Sequence, residues 1–326
     1  MPWSQIDKFA EMRFMDTILA GDVGGTKTHL ALFTFDAGWK CLREEKFPSK
    51  EFPNLTVILA QFLAVGKEKI AKACIGVAGP VEDGRCHATN LPWVVDAREV
   101  AKEAKIGKAW LINDLEANAW GLKCLRPDEF FVLNEGVPHK GNAALISAGT
   151  GLGEAGLYWD GKQHLPFACE GGHADFSPSD EQGVELWRYL KKQFDHPSWE
   201  RVLSGPGLEK IYQFLTGDAE VTPAKVITEK ASTKQSPLYE KAVLWFTSLY
   251  GCEAGNLALK MMARGGVYIG GGIAPKVLWA LKNGNFMKAF VAKGRFRDMM
   301  SAIPVKVVLN VNAALLGAAQ YAHEKK

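Results

Sequence analysis

The chain has 326 residues, 47% hydrophobic and 23% charged. That is enough for about two domains burying about three-quarters of the unfolded surface without a metal or disulfide staple. Its 39 basic and 36 acidic side chains are mixed along the chain and leave a net charge of +3, which argues against a nucleic-acid stripe or a polybasic membrane anchor. Ordinary apolar content and the lack of a repeat exclude collagen, disorder and coiled coil. The six scattered cysteines include no C-x-x-C pair, so reduced core thiols are expected rather than a disulfide framework or zinc site.

Residues 1–16 carry Asp7, Lys8, Glu11, Arg13 and Asp16, which leaves no apolar core for a signal peptide. They read as an N-terminal extension. No uncharged run approaches the roughly 18–20 apolar residues of a membrane span, and a cytoplasmic protein is expected. The segments TILAGDVGGTKTHLALF (17–33) and AALISAGTGLGEAGLYW (143–159) are alike: a strand, a glycine-rich turn and an alternating strand, the pattern of a β-hairpin. Further strands are expected at 72–77, 109–112, 267–269 and 305–310, and helices at 55–64, 115–122, 275–282 and 313–322. Between 177 and 264 the pattern is mostly helical, with breaks at 204–207 and 217–223. The expected organisation is α/β, with a small domain over 17–130 and a large one over 131–326 that carries a helical insertion at about 178–264.

Three glycine clusters follow. G-D-V-G-G-T-K-T (21–28) nearly matches a P-loop, but Thr26 stands at the second glycine and a strand, not a helix, follows, so the P-loop reading fails. Gly24 and Gly25 nevertheless offer backbone N–H groups, Thr26 adds a hydroxyl, and Asp22 is placed to orient a Mg²⁺. The same turn is equally an ordinary hairpin. G-L-G-E-A-G (151–156) is a formal G-x-G-x-x-G, rejected as a dinucleotide fingerprint because a strand follows; Gly149, Thr150 and Gly151 read instead as a second backbone cradle. Gly270, Gly271 and Gly272 end a strand and are either a wall for a flat base or a tight turn.

Among polar residues, Asn113 and Asp114 end an apolar strand, where α/β proteins gather catalytic groups, although Asp114 also suits a helix cap. Glu170 and His173 flank two glycines. Without a second histidine or a C-x-x-C pair they suit hydroxyl recognition better than zinc, and a plain turn is the alternative. Glu200 and Asn90 are unremarkable alone.

Taken in order, DVGGTKT, GVAGPV, TNLPW, INDLEA, SAGTGLG, EGGHADF, ERVLSGPGL, GGGIAP and NAALLGAA resemble the bacterial glucokinase family from Gly21 to Ala319. HADFSPSDEQG lacks the cysteines of the zinc-binding ROK (repressor/open-reading-frame/kinase) sugar kinases, which favours the zinc-free branch. The resemblance implies duplicated ribonuclease-H-like (actin-like ATPase) domains with an inter-domain cleft. It also implies ATP-dependent phosphorylation of D-glucose to glucose 6-phosphate at the entry to glycolysis, ATP with Mg²⁺ as cofactors, and a homodimer without nucleic-acid or membrane partners. By the match, Gly21, Asp22, Val23, Gly24, Gly25 and Thr26 would form the first phosphate loop, Gly149, Thr150 and Gly151 the second, and Gly270, Gly271 and Gly272 would border adenosine. Asn90, Asn113, Asp114, Glu170, His173 and Glu200 would bind glucose, with Asp114 the catalytic base. A kinase for another hexose and a non-catalytic sugar-responsive regulator remain as alternatives. The latter normally carries an N-terminal helix-turn-helix, for which sixteen residues are too few.

Overall fold

The first hairpin forms as expected. β1 (Thr17–Val23) pairs antiparallel with β2 (Lys27–Phe35) across the glycine turn, Asp22 opposite His29. A computed structural model describes residues 16–325; the expected extension therefore lies, apart from Asp16, outside the described residues. β3 (Trp39–Pro48) adds to β2 and is mostly exposed, so its polar sequence gives no alternating signal. α1 (Leu55–Ala64) starts at Asn54, whose side chain accepts from the Val57 N–H at 3.1 Å. It buries Ile58, Leu59 and Phe62 in one cluster with Leu19, Leu30, Leu32 and Ile75. β4 (Ile70–Val77) then lies parallel to β1.

A small sheet follows that the sequence reading did not anticipate: β5 (Val81–Glu82), β6 (Arg85–His87) and β7 (Val94–Asp96). Its first turn is Asp83-Gly84, with φ of 48° and 73°, a two-residue hairpin signal that was present in the sequence. Asp96 caps α2 (Ala97–Glu103) by accepting from the Arg98 N–H at 2.8 Å. β8 (Ala109–Asn113) completes a five-stranded sheet ordered β3-β2-β1-β4-β8.

α3 (Asp114–Gly121) and β9 (Phe130–Asn134) lead to the second hairpin, β10 (Ala143–Ala148) and β11 (Leu152–Trp159), extended by β12 (His164–Cys169). The helical stretch comprises α4 (Glu181–Lys191), α5 (Gly205–Thr216), α6 (Ala224–Ser232) and α7 (Pro237–Met261). The expected break at 204–207 is instead a helix start. Ser204 Oγ accepts from the Gly207 N–H at 3.0 Å and donates to the Glu200 carbonyl at 2.7 Å. Gly217, at φ 75°, ends α5 as a left-handed cap, so the break at 217–223 is real.

β13 (Gly266–Gly270) is followed by turns rather than the full helix expected at 275–282. Lys276 and Val277 both donate to the Ile273 carbonyl, Pro275 has no N–H to give, and only α8 (Leu278–Leu281) is regular. α9 (Asn285–Phe290), α10 (Arg297–Ser301), β14 (Val305–Val308) and α11 (Ala313–Glu324) complete the chain. The second sheet is ordered β12-β11-β10-β13-β14-β9. Its first five strands repeat the order of the first sheet, and β10, like β1, is antiparallel to one neighbour and parallel to the other. Among the described residues no helix is long and apolar enough to cross a membrane.

The chain divides into two compact units, residues up to Asp114 with those from Ala318, and Leu115–Gly317. The expected boundary at 130 is therefore moved, for a packing reason. A Cβ on Gly317 would stand 1.7 Å from the Ala117 carbonyl oxygen, and one on Gly121 2.0 Å from that of Ala313. α3 and the start of α11 thus touch backbone to backbone, which draws 115–130 into the second unit. The end of α11 belongs to the first unit, where the Trp39 indole N–H donates to Gln320 at 3.1 Å and Lys72 Nζ to the Lys325 carbonyl at 2.6 Å.

Glycine to alanine at an exposed helix position stabilises by about 1 kcal/mol. At Gly317 the sign reverses: Gly317→Ala must push two helix backbones apart and is expected to destabilise by about 1–3 kcal/mol. Denaturant unfolding of the variant checks this; a rise in the midpoint would refute the contact.

Candidate active site

In the first unit β1, β4 and β8 run parallel, so their carboxyl ends share one edge, with Asp22 level with Gly76 and Val77 level with Asn113. The turn at that edge is closed from within. Gly24 donates its N–H to the Lys27 carbonyl at 3.0 Å, so this donor, expected to face a ligand, holds the turn instead. Ser49, fully buried, donates its hydroxyl to the Gly24 carbonyl at 2.8 Å, and its N–H to the Thr26 carbonyl at 3.1 Å. Nothing in the stretch Pro48-Ser49-Lys50 announced this clamp. Gly21 and Val23 are both buried in the sheet, and a Cβ on Gly21 would lie 2.6 Å from Ile75 Cδ1.

Gly25 has a different reason to be glycine. A Cβ there would come within 2.5 Å of Asn90 Cβ, so the loop between β6 and β7 rests directly on the turn and brings Asn90 to it. Asn113, buried at the end of β8, donates through Nδ2 to the Gly79 carbonyl at 3.2 Å. Gly79 adopts φ 134°, open only to glycine, which fixes the GVAGPV segment beside it. Asp114 is the first residue of α3, immediately after Asn113. Asp22 keeps a partly accessible surface but is surrounded by protein. Desolvation, with the charge of Asp114 second, pushes its carboxyl from the ordinary 3.8 up to about 7.

The second unit builds a matching edge. Gly149 donates its N–H to Gly151 at 2.8 Å and accepts at its carbonyl from Gly205 at 2.9 Å, so this turn too is closed by its first glycine. Glu200 was unremarkable in sequence, yet its Oε2 accepts from the Leu152 N–H at 3.0 Å, and a Cβ on Gly151 would stand 2.4 Å from that oxygen. Glu170 and His173 stand on a short 3₁₀ turn, exposed, with Nε2 and Oε2 3.9 Å apart. Trp199 N–H donates to the Ala174 carbonyl at 2.9 Å and the His196 ring bonds the His173 carbonyl at 2.8 Å, tying this turn to the segment that carries Glu200. Structure thus gathers Glu170 and His173 of one turn with Glu200 of a second stretch in one unit.

Of the third cluster, Gly270 is buried and Gly271 adopts φ 84°, a Cβ there falling 2.3 Å from the Ala148 carbonyl. The sequence reading missed the group that joins the two turns. Tyr250, fully buried on α7, accepts from the Ala148 N–H at 3.0 Å and its hydroxyl lies 3.2 Å from the Ile146 carbonyl and 3.3 Å from that of Gly270. Burial pushes its phenol well above the usual range, so it stays a donor.

The glucokinase family model matches residues 19–325. The chain belongs to the glucokinase family. A glucokinase of Nostoc sp. is 40% identical over 337 aligned positions that cover 94% of this chain and 98% of that relative. A crystal structure of glucokinase from an Antarctic psychrotroph, 32% identical, superposes with a TM-score of 0.83 over 95% of this chain and 99% of that one. A ROK family glucokinase from Streptomyces griseus, in complex with glucose and AMPPNP, shares the fold at a TM-score of 0.67 and 19% identity over 95% and 100% of the two chains. The fold is therefore that of the glucokinase and ROK sugar kinases.

Two outcomes are expected. Tyr250→Phe leaves the buried Ala148 N–H without its acceptor and should lower stability by about 1–3 kcal/mol, read from denaturant unfolding. Asp22→Asn should raise the melting temperature at pH 8 and not below pH 4. A carboxyl raised from 3.8 to about 7 loses stability as pH climbs through that window, and the amide loses none. A constant difference across pH would refute the assignment.

Proposed function

We propose that the chain transfers the γ-phosphoryl group of ATP to the 6-hydroxyl of D-glucose, giving glucose 6-phosphate and ADP, with Asp114 as the base. One observation carries the assignment. Asp114 follows Asn113 at the end of β8, and its charge reaches Asp22 beside the first glycine turn, so base and phosphate turn share one edge of one sheet. Two sheets with the same strand order, each ending in a glycine turn, support duplicated ribonuclease-H-like domains.

In this reading the turn at Gly25 and Thr26 and the turn at Gly149, Thr150 and Gly151 bind phosphate oxygens, and Gly271 and Gly272 border adenosine. Asn90, Asn113, Glu170, His173 and Glu200 hold the hydroxyls of the sugar. The carboxylates of Asp22 and Asp114, near enough that the charge of Asp114 opposes the ionisation of Asp22, suit the hard oxygen preference of the Mg²⁺ that arrives with ATP. When bound, that ion neutralises charge on the phosphates. Asp114 orients O6 and accepts its proton as the O6–P bond forms and the bond from phosphorus to the bridging oxygen of ADP breaks. A carboxylate is too weak a base to ionise an alcohol beforehand, so the proton follows late, and most of the acceleration comes from positioning. The buried amide of Asn113, held by Gly79, supplies that positioning at O6.

Discrimination rests on leaving a site polar group unpaired when a hydroxyl is missing or inverted. ADP release measured with glucose, mannose, fructose, galactose and N-acetylglucosamine should be fastest with glucose. Asp114→Ala should lower kcat by about 10²–10⁴ while glucose still binds. Turnover preserved in Asp114→Ala would remove the base; turnover with another sugar alone would move the specificity.

A further inference from the structure

The EGGHADF turn rests on a carboxyl group that the reaction does not use. Glu154, on β11, sits level with Cys169 of β12 and Ile146 of β10, has no exposed surface, and neither of its carboxyl oxygens receives a hydrogen-bond donor. Gly171 lies directly over it: a Cβ on Gly171 would be 1.9 Å from Glu154 Oε2, and one on Gly172 2.1 Å from the Leu152 carbonyl two residues before. Both glycines are therefore seated on β11 with no room to spare, one of them on the carboxyl itself.

The surroundings decide its protonation. Glu253 of α7, also fully buried, accepts from Asn256 at 2.7 Å and from Lys260 at 3.0 Å. Lys293 adds a bond of 2.6 Å to Asn256 and one of 3.0 Å to the Cys252 carbonyl. Burial raises the Glu253 carboxyl as well, but Asn256, Lys260 and Lys293 all oppose that rise. Beside Glu154 stand the Glu253 carboxyl, to which only its neutral form can donate a hydrogen bond, and Lys260, the Tyr250 phenol on α7 and the Cys169 thiol of β12. Burial first, then Glu253, pushes Glu154 from 4.5 up to about 8.

We propose that Glu154 is the positioning residue of the sugar-binding turn: as a neutral acid it supports Gly171 and Gly172 from beneath and holds Glu170 and His173 in their binding arrangement, and as a carboxylate it displaces them. The reason is desolvation, since a buried carboxylate without a donor must draw in water, and the turn above it is the part that can lift. This rests on the reading of Glu170 and His173 as sugar ligands.

Two measurements on the full chain separate the inference from that reading. Hydrogen-exchange protection of 168–175 in the sugar-free protein, corrected for intrinsic rates, should fall between pH 7 and pH 9.5 in wild type and stay constant in Glu154→Gln. The glucose Kd should rise up to about thirty-fold over the same interval in wild type, the population of neutral Glu154 1.5 pH units above its midpoint, and hardly at all in Glu154→Gln. Glu253→Gln, which removes the opposing charge, should move the wild-type midpoint to lower pH and serves if Glu154→Gln does not fold. Protection that ignores pH in wild type, or an alkaline loss equal in Glu154→Gln, overturns the role of Glu154. A turn that opens with pH in wild type alone, in a protein that binds glucose at neither pH, supports the seating on Glu154 and overturns the sugar assignment instead.

Discussion

Each sheet depends on the flanks of one strand. β1 is antiparallel to β2 and parallel to β4, and β10 is antiparallel to β11 and parallel to β13. The hairpin turn must then fall at the same edge as the carboxyl ends of the parallel strands. A tight glycine turn and the polar residues after two or three strand ends are thereby collected without any long-range signal in the sequence. Asp22, Asn113 and Asp114 meet in this way in the first unit, as do the turns at Gly149 and Gly271 in the second.

Crowding at those edges explains the glycines better than ligand approach alone. Gly25 makes room for Asn90, Gly151 for Glu200, Gly171 for Glu154 and Gly271 for the Ala148 carbonyl. In every case the absent side chain lets another part of the site come into contact, so the glycines set the mutual distances of the functional groups. In both hairpin turns the first glycine N–H closes the turn, which makes the loops rigid before any ligand binds.

Carboxyl groups are the electrostatic counterpart. Asp22 and Glu154 are both raised by desolvation and then by a second acid, Asp114 in one case and Glu253 in the other. Stability given up there is the usual mark of groups retained for function rather than for folding. Their surroundings differ: Asp22 lies beside the first glycine turn and Glu154 beneath the turn that carries Glu170 and His173.

Much of the fold was legible in the sequence. Both hairpins, the helix over 55–64 and the strands at β4, β8 and β13 follow from periodicity and glycine punctuation, because apolar spacing reports which face of an element is buried. The motif order carried the family, and with it the candidate residues. Exposed strands such as β3 were invisible because solvent imposes no alternation, and the boundary was expected at 130 rather than at Asp114 because the backbone contact of α3 with α11 joins residues some two hundred positions apart. The same limit hid Ser49, Tyr250 and Glu154. Nothing in their local sequence distinguishes a surface hydroxyl, a core aromatic or an exposed acid from a clamp, a tie or a buried proton carrier. Sequence by itself determined which residues could do chemistry and which segments would be strands and helices. Only the tertiary structure decided which groups are desolvated and which touch, since burial and contact depend on chain segments brought together from far apart.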